Sequence, residues 1–270
     1  MNGYPVLSRL AEVSGFEQLQ KLVRSHRTMV FCTASAAVLL PFAVRDYQLY
    51  LSYGPGGLPY NAFGWLLANT LRVFSREQLS PKPYDDNKLP FADESGYLPT
   101  GFLPRRESPR PKLGSHPVPQ RQLEQLPSAD VRQELIDRFK QLGEDATEKG
   151  LVEVKQSLYE RQHKALFVPS ARHQHAVAQQ TRGEISHVHA GLDGSVHVVL
   201  HPVDCKTIFE QGWGQRHAFS GADLNPILPV NIPVNYLLIY APRNQAEVDT
   251  VMSIVRAGVQ FMTGTREALG

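Results

Sequence analysis

Cysteine is scarce: Cys32 and Cys205 alone cannot build a disulfide framework in 270 residues. No Asn-x-Ser/Thr acceptor sequence occurs either. Both absences lean toward the cytosol or a cytosolic membrane face, that of the endoplasmic reticulum included. A charge excess is also missing. Lys and Arg number 28 against 26 Asp and Glu, a net +2 scattered along the chain. Phosphate binding needs clustered cations, so no nucleic acid partner is expected. The sequence has no GxSxG elbow, no HExxH helix, no CxxC pair and no GxxxxGK[ST] loop, which removes the common signatures of serine hydrolases, zinc peptidases and P-loop enzymes. What remains is ordinary globular composition, 42% hydrophobic and 20% charged.

The apolar run Met29 to Val44 (MVFCTASAAVLLPFAV) is shorter than the ~20 residues of a spanning helix and carries Pro41. It starts too far along the chain for a signal peptide. It therefore reads either as a membrane-spanning or re-entrant segment or as a buried helix. Ahead of it, Ser14 to Glu17 forms a capping-box pattern, with Phe16, Leu19, Leu22 and Val23 on one stripe. Tyr53 to Pro59 (YGPGGLP) is a turn cluster. Ala62 to Phe74 follows as a helix, either buried or lying in a membrane interface with Trp65 as anchor. Residues 1–80 thus read as a helical region, either membrane-associating or packed through buried helices.

Residues 81–127 hold ten of the twenty prolines, which excludes regular helix or sheet there. Tyr84, Phe91, Tyr97 and Phe102 favour a packed arm over a disordered linker. Residues 128–270 form the folded module. Ser128 caps a helix that ends at Gly143. Strands are expected over 164–168, 184–189, 195–201 and 235–240. A helix opens at Pro202, and the last one is capped by Asn244 with Glu247. The order α-β-β-β-α-β-α predicts an α+β fold, an antiparallel sheet with helices packed on one face.

Six of the ten histidines fall between His173 and His201. Residues two apart on a strand share a face, so His187 and His189 lie together, as do His197 and His201. If Gly191 pairs with Ser195, His189 sits opposite His197 and these four rings line one side of the hairpin. If the turn is Asp193-Gly194, His189 pairs with Val198 instead. Such a cluster fits a hydrogen-bonded sheet face, acid–base or hydrogen-bond catalysis, or a metal site with Glu184 or Asp193 as carboxylate ligand. Cys205 reads as a buried, inert thiol. Trp213 and His217 lie in a Gly-flanked segment suited to a pocket wall. Tyr240 and Arg243 end a strand beside a helix N-terminus, which favours anions and carbonyl oxygens.

Glu184-Ile-Ser-His-Val-His189, Asp193-Gly-Ser-Val-His197, Gly212-Trp-Gly-Gln-Arg-His217 and Tyr240-Ala-Pro-Arg243 together resemble the luciferase-domain family. The upstream Asp46-Tyr47, Gly54-Pro-Gly-Gly-Leu-Pro59 and Gly64-Trp65 resemble its larger fungal members. One departure is Ala190, where many relatives have proline after the second motif histidine. Some fungal members are encoded with natural-product pathways, one being assigned the norbornene-forming Diels–Alder step of sordarin-type diterpenoid biosynthesis. The resemblance implies a cyclase of terpenoid biosynthesis working on an apolar small molecule, with no cofactor and no metal. The expected carbonyl-activating donor is one of His187, His189, His197 and His217, with Tyr240 as an alternative, and Glu184, Trp213 and Arg243 are expected to bind substrate. A metal-dependent hydrolase or isomerase and a non-catalytic lipid or small-molecule carrier are the alternatives.

Overall fold

A computed structural model describes residues 16–18, 20–172, 174–222, 224 and 231–267. The chain divides into two compact units, Met1–Ser52 and Tyr53–Gly270.

The first unit is dominated by helix α1, Arg27–Ser52. Its 26 residues reach roughly 39 Å at 1.5 Å each, more than the ~30 Å hydrocarbon core of a bilayer. The helix runs through Pro41 and past Arg45 and Asp46, so it is longer than the uncharged run alone suggests. Its most apolar stretch is long and apolar enough to cross a membrane, and none of it is buried. Phe31, Val38, Leu39, Leu40 and Phe42 are exposed. The buried-helix alternative does not hold for this apolar stretch, none of whose described side chains is buried; Tyr50, near the end of α1, is the helix's buried residue. The upstream cap at Ser14 and its stripe member Leu19 lie outside the described residues.

The second unit opens with the Gly-Pro turn and helix α2, Ala62–Leu71, capped by the Asn61 side chain accepting from Gly64 N at 3.1 Å. Gly64, Ala68 and Leu71 are buried while Phe63 and Leu66 are exposed, so α2 is half-buried. The proline-rich stretch holds a single 3-10 turn, Lys82–Asp85, and an isolated bridge between Leu113 and Gln122. It is packed down. Tyr84 and Leu103 are buried, Tyr97 N and Leu98 N donate to the Asp204 carboxylate, and Arg106 N donates to Gln211 O.

The remaining elements are α3 Ala129–Glu148, β1 Glu153–Gln156, β2 Lys164–Phe167, α4 Ala176–Gln180, β3 Glu184–Val188, β4 Val196–Val199, α5 Pro202–Gln211, β5 Gly214–Arg216, β6 Tyr236–Ile239 and α6 Gln245–Thr263. The six strands form one antiparallel sheet in the order β1-β2-β3-β4-β6-β5. The α+β expectation holds. Sequence reading missed β1, α4 and β5, which are too short for a periodic signal. It also ended α3 at Gly143, whereas the helix continues to Glu148. That glycine serves packing instead. A Cβ there would stand 3.0 Å from Leu166 Cδ2, so α3 lies close on β2.

Helices α3 and α6 pack against each other and on one side of the sheet. Gly258 lets α6 approach β4, since a Cβ there would stand 2.4 Å from Val198 Cγ2. Val198 alternates with His197, so the histidines face away from these helices.

Candidate functional site

The β3–β4 register is neither of the two considered from the sequence. His187 sits directly opposite His197, and His189 N donates to Ser195 O at 2.9 Å. The connection is the five-residue loop 190–194, in which Gly191 and Gly194 adopt positive φ of 76° and 75°. Those angles suit glycine. The histidine-bearing face survives the change, because this register again keeps odd positions on both strands on one side.

Three rings therefore meet. Centroids lie 5.2 Å apart for His187 and His197, 5.1 Å for His189 and His197, and 5.5 Å for His187 and His189. His217, just past β5, adds a fourth ring 5.6 Å from His197. His201, expected as the fourth, does not join. It caps α5, its Nδ1 accepting from Val203 N, and its ring lies among Phe91, Tyr97 and Phe261.

Each ring has its own support. His187 Nδ1 lies 2.8 Å from Glu184 Oε1, and Glu184 also accepts from Ser157 Oγ and Leu158 N, both at 2.7 Å. A carboxylate only accepts, so the His187 proton sits on Nδ1. Its Nε2, an acceptor when the ring is neutral, is buried with no partner among the described residues. His189 Nδ1 lies 3.0 Å from Ser195 Oγ and 3.3 Å from Asp193 Oδ1. His189 Nε2 accepts from Arg121 Nη1 at 3.3 Å. His197 stacks on Tyr236 at 4.8 Å and 11°. His217 Nδ1 accepts from Phe219 N at 3.1 Å, which places its proton on Nε2. His187 thus presents a base and His217 a donor.

Burial pushes the pKa of His189 down, and the Arg121 charge adds to this. His197 is driven well below the usual range by burial and by its neighbouring imidazoles. His217 falls to about 3 by burial, with His187 and His189 contributing. Burial would raise the Asp193 carboxyl, but His189, Arg121 and Ser195 outweigh it and hold it at about 2. Glu160 is likewise lowered: burial opposes ionisation, and His189 and Arg121 overcome it. Arg121 and Glu160 form a buried ion pair through both carboxylate oxygens.

A pocket of about 130 Å³ opens over this floor. Its polar lining includes His187, His197, His217, Gln120 and Glu160, and its walls include Leu58, Val118, Tyr159, Phe219 and Tyr236. The GPGGLP turn and the proline-rich arm both contribute to it. Gln120 Oε1 is buried without a partner among the described residues.

His187, His189 and His197 offer ring nitrogens all within 4.8 Å of one another, close enough to consider a metal ion. Arg121, pinned by Tyr53 O, Pro55 O and Glu160, places a guanidinium against His189 Nε2 and opposes a second cation there.

Of the residues singled out from the sequence, His187, His189, His197, His217 and Glu184 come together. His187, His197 and His217 line the pocket, with Glu184 and His189 behind them, and the other three do not join the cluster. Trp213 is a core residue whose Nε1 donates to Pro104 O at 2.6 Å. Tyr240 is on the histidine face but two pleats beyond Tyr236, where its hydroxyl donates to Gln215 Oε1. Arg243 is bound to Glu247 and Ser108. Sequence reasoning missed Arg121, Glu160, Ser157, Gln120 and Tyr236. The first four lie far from the hairpin along the chain, and no spacing rule reaches them. Tyr236 could have been found, since it shares a β6 face with Tyr240.

The Luciferase domain model matches residues 182–258, which carry the hairpin, α5 and the His217 segment. The "Luciferase" of Armillaria mellea is 33% identical over 257 residues, 89% of this chain and 90% of that protein. The "Luciferase" of Neonothopanus nambi is 33% identical over 260 residues, 92% of each chain. No solved structure matches. With a third of residues identical over nearly the full length of both partners, and the histidine hairpin inside the matched domain, the chain belongs to the luciferase-domain family.

Proposed function

We propose that the chain is an enzyme that binds a small conjugated carbonyl compound over the histidine floor and promotes its cyclisation without a covalent intermediate. The observation that carries this reading is the fixed, opposite hydrogen-bonding character of His187 Nε2 and His217 Nε2–H on one pocket. His217 donates to the substrate carbonyl and draws electron density from the conjugated alkene. A preorganised donor of this kind is worth about 10²–10³ in rate. His187, held by Glu184, accepts a hydroxyl or an acidic C–H proton of the substrate, and such a base contributes about 10²–10⁴. The apolar walls hold the chain folded, so a [4+2] closure starts from a near-attack shape. The apolar walls suit a terpenoid natural-product intermediate in character, and the pocket of about 130 Å³ would have to open further to enclose one. The exposed helix α1 supports work at a membrane surface, with the endoplasmic reticulum face as the proposed location.

A second reading is favoured by the relatives' name. A luciferase oxidises a small molecule with emission of light, and the same base could generate the electron-rich anion that oxygen attacks. The test uses purified full-length chain, a synthetic diene–enal able to close intramolecularly, and the relatives' luciferin in air, with photon counting. Ring closure with altered endo/exo ratio that is lost in His217→Phe supports the cyclase. Light or oxygen uptake supports the second reading. Product profiles equal to buffer alone on both substrates overturn both. Stoichiometric Zn, Mn or Fe in the active protein, with loss of activity on chelation, would move the chemistry to a metal.

A further inference from the structure

On the sheet side opposite the histidines, α3 does not close fully over β1, β2 and β3. A cavity of about 530 Å³ remains there. Its size falls within the roughly 300–1,000 Å³ of small-molecule sites. Phe139, Leu166 and Val188 are buried at its floor, and Val154 is half-exposed at its side. Such a lining repays an apolar chain and offers water little. The polar groups of the lining are few: Lys140, Glu144, His163 and Lys164. Lys140 is engaged by Glu144 at 3.6 Å. Lys164 is exposed and has no ion pair among the described residues. Beside it, His163 Nε2 is buried with no hydrogen-bond partner among the described residues. One cation and one ring nitrogen in the lining of an apolar cavity thus lack a counterpart among the described residues. An acidic head on an apolar tail supplies both what the cavity and what these two groups are missing.

We propose that this cavity binds a long-chain carboxylate, its hydrocarbon tail against Phe139, Leu166 and Val188 and its carboxylate at Lys164 and His163. The site is separate from the histidine pocket and does not depend on the chemistry assigned to that pocket. It is coupled to it by one strand: Val188 stands between His187 and His189 and points the other way. A bound tail therefore braces the back of the strand that carries two of the four rings.

The experiment follows the fluorescence of 11-(dansylamino)undecanoate on the full-length chain, and its displacement by oleate and by oleyl alcohol. Saturable binding of one probe per chain is expected, with oleate displacing it at least tenfold more tightly than oleyl alcohol. Val154→Trp, which fills the slot from its exposed side, should abolish this binding. Lys164→Glu should weaken oleate at least tenfold and leave oleyl alcohol unchanged; should Val154→Trp fail to fold, this surface variant decides. Equal probe uptake by wild type and a folded Val154→Trp would mean uptake elsewhere, on α1 for example, and would overturn the proposal. So would equal affinity for the acid and the alcohol, or indifference of oleate to Lys164→Glu.

Discussion

The two faces of strand β3 make an instructive pair. Alternate residues of five consecutive positions enter opposite worlds. On one face, His187 is tied to a network of carboxylates, hydroxyls and one guanidinium that begins in distant segments. On the other, Val188 packs in the hydrophobic core and lines the second cavity. The polar face is held by directional bonds, so its geometry is specific and its failures are abrupt. The apolar face is held by area and shape, so it tolerates change until volume is exceeded. Both are buried, and burial alone does not distinguish them.

The sharpest way to break the polar face is Arg121→Met. It leaves Glu160 buried without its partner, and removal of one member of a buried pair costs about 3–5 kcal/mol. Urea unfolding should show that loss, and a change below about 1 kcal/mol would show that Glu160 is relieved another way. Next comes His217→Phe, which keeps the ring volume and removes the donor. Activity on a carbonyl substrate should fall about 10²–10³ with little change in melting temperature. A parallel loss of stability would mean that the ring is mainly structural.

Acid should separate the faces further. The unfolded chain takes up a proton at each imidazole near pH 6.5, while folded His217 stays neutral down to about 3, and His189 and His197 are also lowered. Stability is therefore full above about pH 6.5 and falls as pH drops through that window, by roughly 1.4 kcal/mol per pH unit for each ring. Asp204, raised to about 6 by burial, acts in the opposite sense between about pH 6 and 4 and partly offsets one of them. Replacing His217 with Phe should flatten the profile by about one proton. The smallest effect is expected on the apolar face. Gly143→Ala gains about 1 kcal/mol of helix propensity and presses a methyl to 3.0 Å from Leu166, whose side chain can yield. The net change should stay within about 1 kcal/mol by thermal melting, and a larger loss would show a stiffer contact than shape suggests.

Much of this was legible from residue order. The histidine alternation put His187 with His189, and His197 with its odd-numbered neighbours, on one face of each strand, because a period of two depends only on the strand; that the two faces coincide required an odd loop length. Ser128, Pro202 and Asn244 marked helix starts through their own local bonding. The register was not legible. It rests on Gly191 and Gly194 turning with positive φ and on Asp193 binding back to Ser195, a local fold among several that a five-residue loop allows.

The sequence by itself determined an α+β module with paired histidine strands, an apolar helix near its start and a proline-rich stretch unable to form sheet. Period, capping and the missing proline N–H are properties of neighbouring residues, so they need no distant partner. The tertiary structure alone decided which nitrogen of each ring carries the proton, that His217 and not His201 completes the floor, and that Arg121 and Glu160 stand beside it. Those outcomes turn on contacts made across the fold, between groups whose separation along the chain says nothing about their separation in space.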